Sequence, residues 1–424
     1  AGCSDSKSSS VARDAHSGAG GVAGAEAVES AVAGNAGVSV EEVVPGIGGA
    51  TGVAGTATAF AGAAGASLAT AGAGPKANSE LVYLINTGSA STALPDLLPG
   101  ISVFKQNTNE LVKTVTFSER KGVSVGHFAS LSPDGSLLWL CNDLGNVTAD
   151  KGEVDVYDTA TLTIVKQFKG LGCGVQNTRS HDGKYVLTSS TLTSQINIFD
   201  ALNLAWLGSI DVASAPHVGD TSPNDKVYYT TNGGLGHALA FDISKLPTTI
   251  PTIPLLDVEV GGNLHALRVH PNGKYLFVGA SGTTGTNVID LASKTIIAQV
   301  PGAPHNYAIS PDAKYLASSE LTLDAAKGTG ERLQIIDIST LDTATPDPAK
   351  LKQVYALPHA NLGGSHQSWS SVTGKLWYTL YGITDKKGQV WVLDTSMLPD
   401  MIMVEKKIPI GDAPHGVVYT DRND

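Results

Sequence analysis

The sequence predicts an all-β protein, a seven-bladed β-propeller of four-stranded antiparallel blades, preceded by a low-complexity tether. Three observations predict it: a Ser-Pro-Asp-Gly turn that recurs along the chain, a third strand in each unit that ends in Asp, and seven first strands of which the last has no strands after it. Composition agrees, because 42% hydrophobic residues in 424 bury a large core, while 48 Gly against 3 Met and 3 Cys favour turns over helical bundles or a disulfide framework. With 28 basic and 39 acidic residues the net charge is −11, which leaves no basic surplus for a phosphate backbone and makes nucleic acid an unexpected partner.

The chain opens Ala1-Gly2-Cys3-Ser4, and a small-small-Cys start looks like the end of a bacterial lipoprotein signal, with Cys3 carrying the lipid. The competing reading is an ordinary thiol at an arbitrary start. A lipid on Cys3 implies membrane attachment and a place in the bacterial cell envelope, periplasmic or at the cell surface, with an envelope protein as a further partner. Residues 4–78 are built from Ala, Gly, Ser, Thr and Val, with no Lys or Arg between Arg13 and Lys76. Side chains so small bury too little area to offset the entropy of ordering the backbone, so residues 1–78 read as a flexible tether. The uncharged stretch 43–75 is long enough to span a bilayer, but its glycines argue against a lone transmembrane helix.

From residue 79 to 424 the sequence alternates β-branched and aromatic runs with Gly, Pro, Asn and Asp turns, with a period of 40 to 61 residues. The turn reads Ser132-Pro133-Asp134-Gly135, Ser180-His181-Asp182-Gly183, Ser222-Pro223-Asn224-Asp225, His270-Pro271-Asn272-Gly273 and Ser310-Pro311-Asp312-Ala313. A degenerate copy is Ser371-Val372-Thr373-Gly374. Pro presets the first turn dihedral and Asp, Asn or Gly tolerates the next two, so each copy joins two antiparallel strands. The third strand of each unit ends in Asp158, Asp200, Asp242, Asp290, Asp337 or Asp394. These carboxylates recur at a turn position and are read as acceptors for their own backbone amides, not as a shared cation site. First strands begin near His127, Val175, His217, His265, His305, His366 and His415. The runs at 81–86, 101–105 and 111–117 lack one, so both chain ends are expected to complete a single blade and hide its edges.

At this point the sequence resembles the YVTN-type β-propellers, whose repeats read approximately Pro-His-Gly-Val-x-x-Ser-Pro-Asp-Gly-Lys-x-Val-Tyr-Val. The resemblance covers residues 79 to the C-terminus and implies the fold.

Six of the 11 histidines hold one register: His127, His217, His265, His305, His366 and His415 each precede by six residues the turn position at 133, 223, 271, 311, 372 and 421. First strands line a propeller's channel, so these imidazoles are expected at one level around the axis. Neutral imidazole is a favoured ligand for copper, zinc and iron, and the ring is therefore a candidate metal site, copper favoured. The competing reading is a repeat consensus, supported by Ala-Pro before His217, His305 and His415 and weakened by its loss at His127, His265 and His366. The chain is similar to nitrous oxide reductase in placing histidines at a propeller hub, where that family holds a copper cluster. It departs in lacking a cupredoxin domain, and it has no Cys-x-x-Cys-His for covalent haem.

Cys173, between two glycines at the blade that lacks a ring His, is a candidate soft ligand or a small filler, and a Cys141–Cys173 disulfide is conceivable in an oxidising envelope. His181, His237, His270 and His359 read as solvated or locally bonded. The functional alternatives are metal handling or redox at the ring, a metal-free protein- or glycan-binding scaffold, and, more weakly, a lactonase-like hydrolase using Asp220, Glu320 and Arg268. No phosphate-binding loop, zinc-protease helix or nucleophile elbow is present in the sequence.

Overall fold

Twenty-eight strands form seven four-stranded antiparallel sheets among the described residues of the computed structural model, which are 80–88, 98–118, 128–142, 152–171, 176–191, 193–280, 285–320, 332–359, 362–382, 387–411 and 413–419. The tether, with Cys3 and the stretch 43–75, lies outside them, as do His127, Cys173 and Val175. No helix among the described residues is long and apolar enough to cross a membrane.

Blade 1 comprises Leu81–Asn86, Gly100–Lys105 and Leu111–Thr116, completed on its inner side by the C-terminal strand Pro414–Tyr419. Val82, Tyr83 and Leu84 pair antiparallel with Tyr419, Val418 and Val417, so the closure expected from the sequence is present. Each later blade runs from axis to rim. The inner strands are Ala129–Leu131 in blade 2, Asn177–Arg179 in blade 3, Pro216–Thr221 in blade 4, Leu264–Val269 in blade 5, Pro304–Ile309 in blade 6 and Leu362–Trp369 in blade 7. Inner and middle strands are sandwiched between neighbouring blades and are buried on both faces. Rim strands such as Thr163–Lys169 are largely exposed.

The two turn classes are held as their residue types require. The strand-end carboxylates accept backbone amides two or three residues on: Asp158 from Thr161 at 2.8 Å, Asp200 from Leu202 at 3.0 Å, Asp242 from Ser244 at 2.9 Å, Asp290 from Ser293 at 2.7 Å, Asp337 from Ser339 at 3.0 Å and Asp394 from Ser396 at 2.9 Å. Amide donation holds Asp158 and Asp290 below the usual carboxylate range. In the Ser-Pro-Asp-Gly copies the Ser hydroxyl donates to the Asp or Asn two residues on, at 2.8 Å for Ser180, 2.8 Å for Ser222 and 2.7 Å for Ser310. It also accepts the amide five residues on, at 2.9 to 3.0 Å. In blade 7 the equivalent Ser is Ser370, not Ser371: the Ser370 amide donates to the Lys375 carbonyl at 2.9 Å, the same five-residue span as in the other copies, while the Gly374 amide donates to the Ser370 carbonyl across four residues where the other copies use three.

His270 takes the Ser position in blade 5. Its Nδ1 accepts the Asn272 amide at 3.2 Å, and its fully buried ring packs on Tyr275 and Phe277. Burial holds His270 below the usual imidazole range, against the opposing pull of Asp342, whose carboxylate is 3.8 Å from Nε2. The unfolded chain therefore binds the proton first. This contribution to stability is intact above the unfolded value, about 6.5, and is lost as pH falls toward the folded one. His270→Ser is expected to lower stability at pH 7 by leaving a cavity, yet to flatten the decline between pH 7 and 5 in denaturant titrations. A decline as steep as in the parent protein would contradict this.

Seven apolar clusters, one at each blade–blade interface, close the ring. The cluster joining blades 7 and 1 centres on Trp377, fully buried with Phe104 at 6.0 Å between ring centres, together with Val417 from the C-terminal strand. Truncation of so large a buried ring loses transfer energy and leaves a cavity. Trp377→Ala is therefore expected to lower unfolding free energy by about 3–5 kcal/mol in urea titrations, whereas a loss under about 1 kcal/mol would show that this interface does not carry the closure.

Candidate functional site

Inner strands of adjacent blades share no backbone ladder, so side chains bridge them. Ser130 Oγ donates to the Asn177 carbonyl at 3.1 Å, Thr178 Oγ1 to the Gly219 carbonyl at 2.8 Å, and the Gly219 amide to Gln176 Oε1 at 2.8 Å. Further round, the Val269 amide donates to Asp220 Oδ2 at 3.0 Å, Arg268 Nε to the Tyr307 carbonyl at 3.1 Å, and Gln367 Nε2 to the Asn306 carbonyl at 2.8 Å. These bonds tie neighbouring inner strands to one another around the axis and use part of their buried polar surface.

Each described ring histidine sits in a break of its inner-strand register. Pairing jumps from Pro216 to Gly219 past His217, from Leu264 to Ala266 past His265, and from Pro304 to Asn306 past His305. It likewise jumps from Gly364 to Gln367 past His366, and from Pro414 to Val417 past His415. A bulge releases a residue from the pleat and re-aims its side chain, and here the same device acts in five consecutive blades.

The released rings touch in sequence. Centre-to-centre separations are 4.1 Å for His217–His265, 5.4 Å for His265–His305, 5.3 Å for His305–His366 and 5.5 Å for His366–His415. All five residues are at most 7% exposed. His415 Nδ1 donates to the Ala413 carbonyl at 3.0 Å, which puts the lone pair on Nε2, and the Asn263 amide nitrogen is 3.2 Å from His265 Nε2. Two aromatic rings flank the series: Phe128 stacks on His366 at 4.1 Å and Tyr381 on His415 at 5.6 Å.

As the side chains stand, no group of three or more His, Cys, Asp or Glu among the described residues could hold a metal ion. The donor set and spacing nonetheless fit one. A ligating imidazole centres about 3.1 Å from its metal, so two ligands at right angles have ring centres about 4.4 Å apart, and tetrahedral ones about 5.1 Å. The observed separations of adjacent rings, 4.1 to 5.5 Å, bracket these values pair by pair.

Cys141 is fully buried and disulfide-bonded. Its possible partners in the sequence, Cys173 and Cys3, lie outside the described residues. His359 is locally bonded, with Nδ1 donating to the Leu362 carbonyl at 2.9 Å and Nε2 accepting from the Tyr378 hydroxyl at 2.8 Å. His181 and His237 pair with Asp225 and Asp257 at 3.0 and 2.6 Å.

Of the hydrolase candidates, Glu320 is fully buried, 2.6 Å from Arg332 Nε, and accepts the Ala303 amide at 3.0 Å. Asp220 accepts the Thr221 and Val269 amides at 2.8 and 3.0 Å and stands 4.0 Å from Arg268. Both carboxylates brace neighbouring strands. Phe128, Tyr381 and Asn263 are site residues that sequence reasoning missed. Only position relative to the His register could have signalled them.

No family model matches the chain, and no curated protein matches it. Among solved structures it is similar to dihydro-heme d1 dehydrogenase NirN in complex with DHE, at 17% identity and TM-score 0.53 over 84% of this chain and 78% of that one. It is also similar to hydrazine synthase of Kuenenia stuttgartiensis, at 17% identity and TM-score 0.52 over 69% and 88%. A functionally unknown protein of Desulfotomaculum acetoxidans matches at 12% identity and TM-score 0.59 over 80% and 98%. Likeness at these identities extends to the propeller fold.

Proposed function

We propose that the hub histidines bind a transition metal, copper in preference to zinc or iron, in a propeller held at the bacterial cell envelope through a lipid on Cys3. The observation that carries this reading is the repeated bulge that turns His217, His265, His305, His366 and His415 to the axis as one series of ring contacts. A purely structural hub has no need of five buried imidazoles, since apolar side chains fill such a space without polar atoms to satisfy. Imidazole donors and the order of divalent affinities favour copper. His127 joins the set by register. A bound metal supplies a redox centre or a transferable ion, and the ring residues hold and enclose it.

The disulfide at Cys141 supports an oxidising compartment, as the envelope reading requires. In that compartment the partners are the membrane, through Cys3, and an envelope protein that delivers or receives the metal or its electrons.

The test is metal analysis of protein purified without a histidine tag, followed by copper titration. Near-stoichiometric copper is expected, with a stabilisation of about 2.7 kcal/mol when free metal reaches 100 times the dissociation constant. Protein that is metal-free and gains no thermal stability on titration would instead favour a scaffold that grips a protein or glycan through its loops.

A further inference from the structure

All three methionines of the chain, Met397, Met401 and Met403, fall within seven residues of one another. They stand where the third strand of blade 7, Gly388–Asp394, turns into the rim strand Met403–Ile410. Methionine is ordinarily a core residue, yet these three are 50%, 39% and 44% exposed.

The backbone gathers them at one corner of the blade. The Met401 amide donates to the Met397 carbonyl at 3.1 Å, which closes a single helical turn, and residues four apart across such a turn have Cβ atoms about 5–6 Å apart. At the entry to the rim strand exposure alternates. Ile402 is buried in the apolar cluster between blades 6 and 7, while the residues on either side of it face solvent, so Met401 and Met403 share the outward face. The same corner carries two carboxylates, Asp394 opposite Met403 in the ladder and Asp400 within the turn. Lys375, whose charge acts on Asp394, is itself paired with Glu405 at 2.6 Å. The local field therefore favours a cation.

We propose that Met397, Met401 and Met403 form a surface site for Cu(I) on the rim of blade 7. Thioether sulfur is a soft, neutral donor that selects Cu(I) over harder divalent ions. Three rotatable bonds let each unbranched side chain bring its sulfur to a shared ion from a different backbone position. The site shares no residue with the hub histidines and rests on its own donor chemistry, so it stands or fails separately from the hub reading.

The test is methyl NMR of the full chain labelled with 13C-methyl methionine, titrated under argon with Cu(I) buffered by bicinchoninate and, in parallel, with Zn(II). With three methionines in the chain the spectrum carries three methyl signals, all from the proposed site. The three are expected to shift together along one saturating isotherm in free Cu(I), while Zn(II) leaves them in place. Met401→Leu conserves volume at an exposed position and is expected to weaken binding at least about tenfold, read from the two remaining methyls. The His217→Ala/His265→Ala variant is expected to give the parent isotherm, because buffering fixes free Cu(I) whatever the hub takes up. Methyl signals that stay in place as free Cu(I) rises, shifts confined to one or two methyls, an equal response to Zn(II), or an isotherm unchanged in Met401→Leu would overturn the proposal.

Discussion

Removal of residues 413–424 is expected to abolish the folded ring, not merely to shorten it. The strand Pro414–Tyr419 is the inner strand of blade 1, and its pairing with Leu81–Asn86 is what joins the two ends of the domain. Val417 packs in the cluster between blades 7 and 1, and Val418 in the cluster between blades 1 and 2. Losing the strand therefore opens two of seven interfaces and leaves the apolar strand Leu81–Asn86 with an unpaired edge. The truncated chain is expected to lose near-ultraviolet circular dichroism and cooperative thermal unfolding and to aggregate. A peptide of residues 411–424 added in trans is expected to restore part of the signal. A truncated protein that melts cooperatively within a few degrees of the parent would show that closure does not depend on this strand.

The double variant His217→Ala/His265→Ala is expected to lower copper affinity by at least about 100-fold, since it removes the closest ring pair, at 4.1 Å. The metal-free variant is expected to keep cooperative unfolding, because the blade–blade clusters contain neither residue. Ligation needs neutral imidazole, so loading of the parent is expected to fall below about pH 6 and to recover on return to pH 7. Copper affinity that survives the double substitution, or is indifferent to pH in that range, would place the metal elsewhere.

Much of the fold was legible because it is written in local chemistry. The turn copies and strand-end Asp residues mark hairpins within a few residues, and apolar runs at 81–86 and 295–300 gave strands at Leu81–Asn86 and Thr295–Val300 as observed. Asn177–Arg179 was harder to recognise as a strand. Its residues are polar yet buried, and bonds such as that from Thr178 to Gly219 in the next blade keep them there. The turn of blade 7 was displaced by one residue because Ser370 and Ser371 are interchangeable by type, and only the hydrogen bond to Lys375 distinguishes them.

The histidine register was legible as spacing for His217, His265 and His305, while His366 stands five residues before the blade-7 turn position once Ser370 is taken as the turn Ser, and the bulges were not legible. A bulge is a property of two paired strands, and nothing at Pro304-His305-Asn306 announces that Glu320 and Ser319 will skip one residue between them.

The most direct measurement of the central claim is electron paramagnetic resonance of the full chain loaded with one equivalent of Cu(II). Binding by the hub histidines predicts nitrogen hyperfine and imidazole modulation that diminish in the His217→Ala/His265→Ala variant. A spectrum of copper bound through oxygen alone, or an imidazole signal identical in parent and variant, would contradict it.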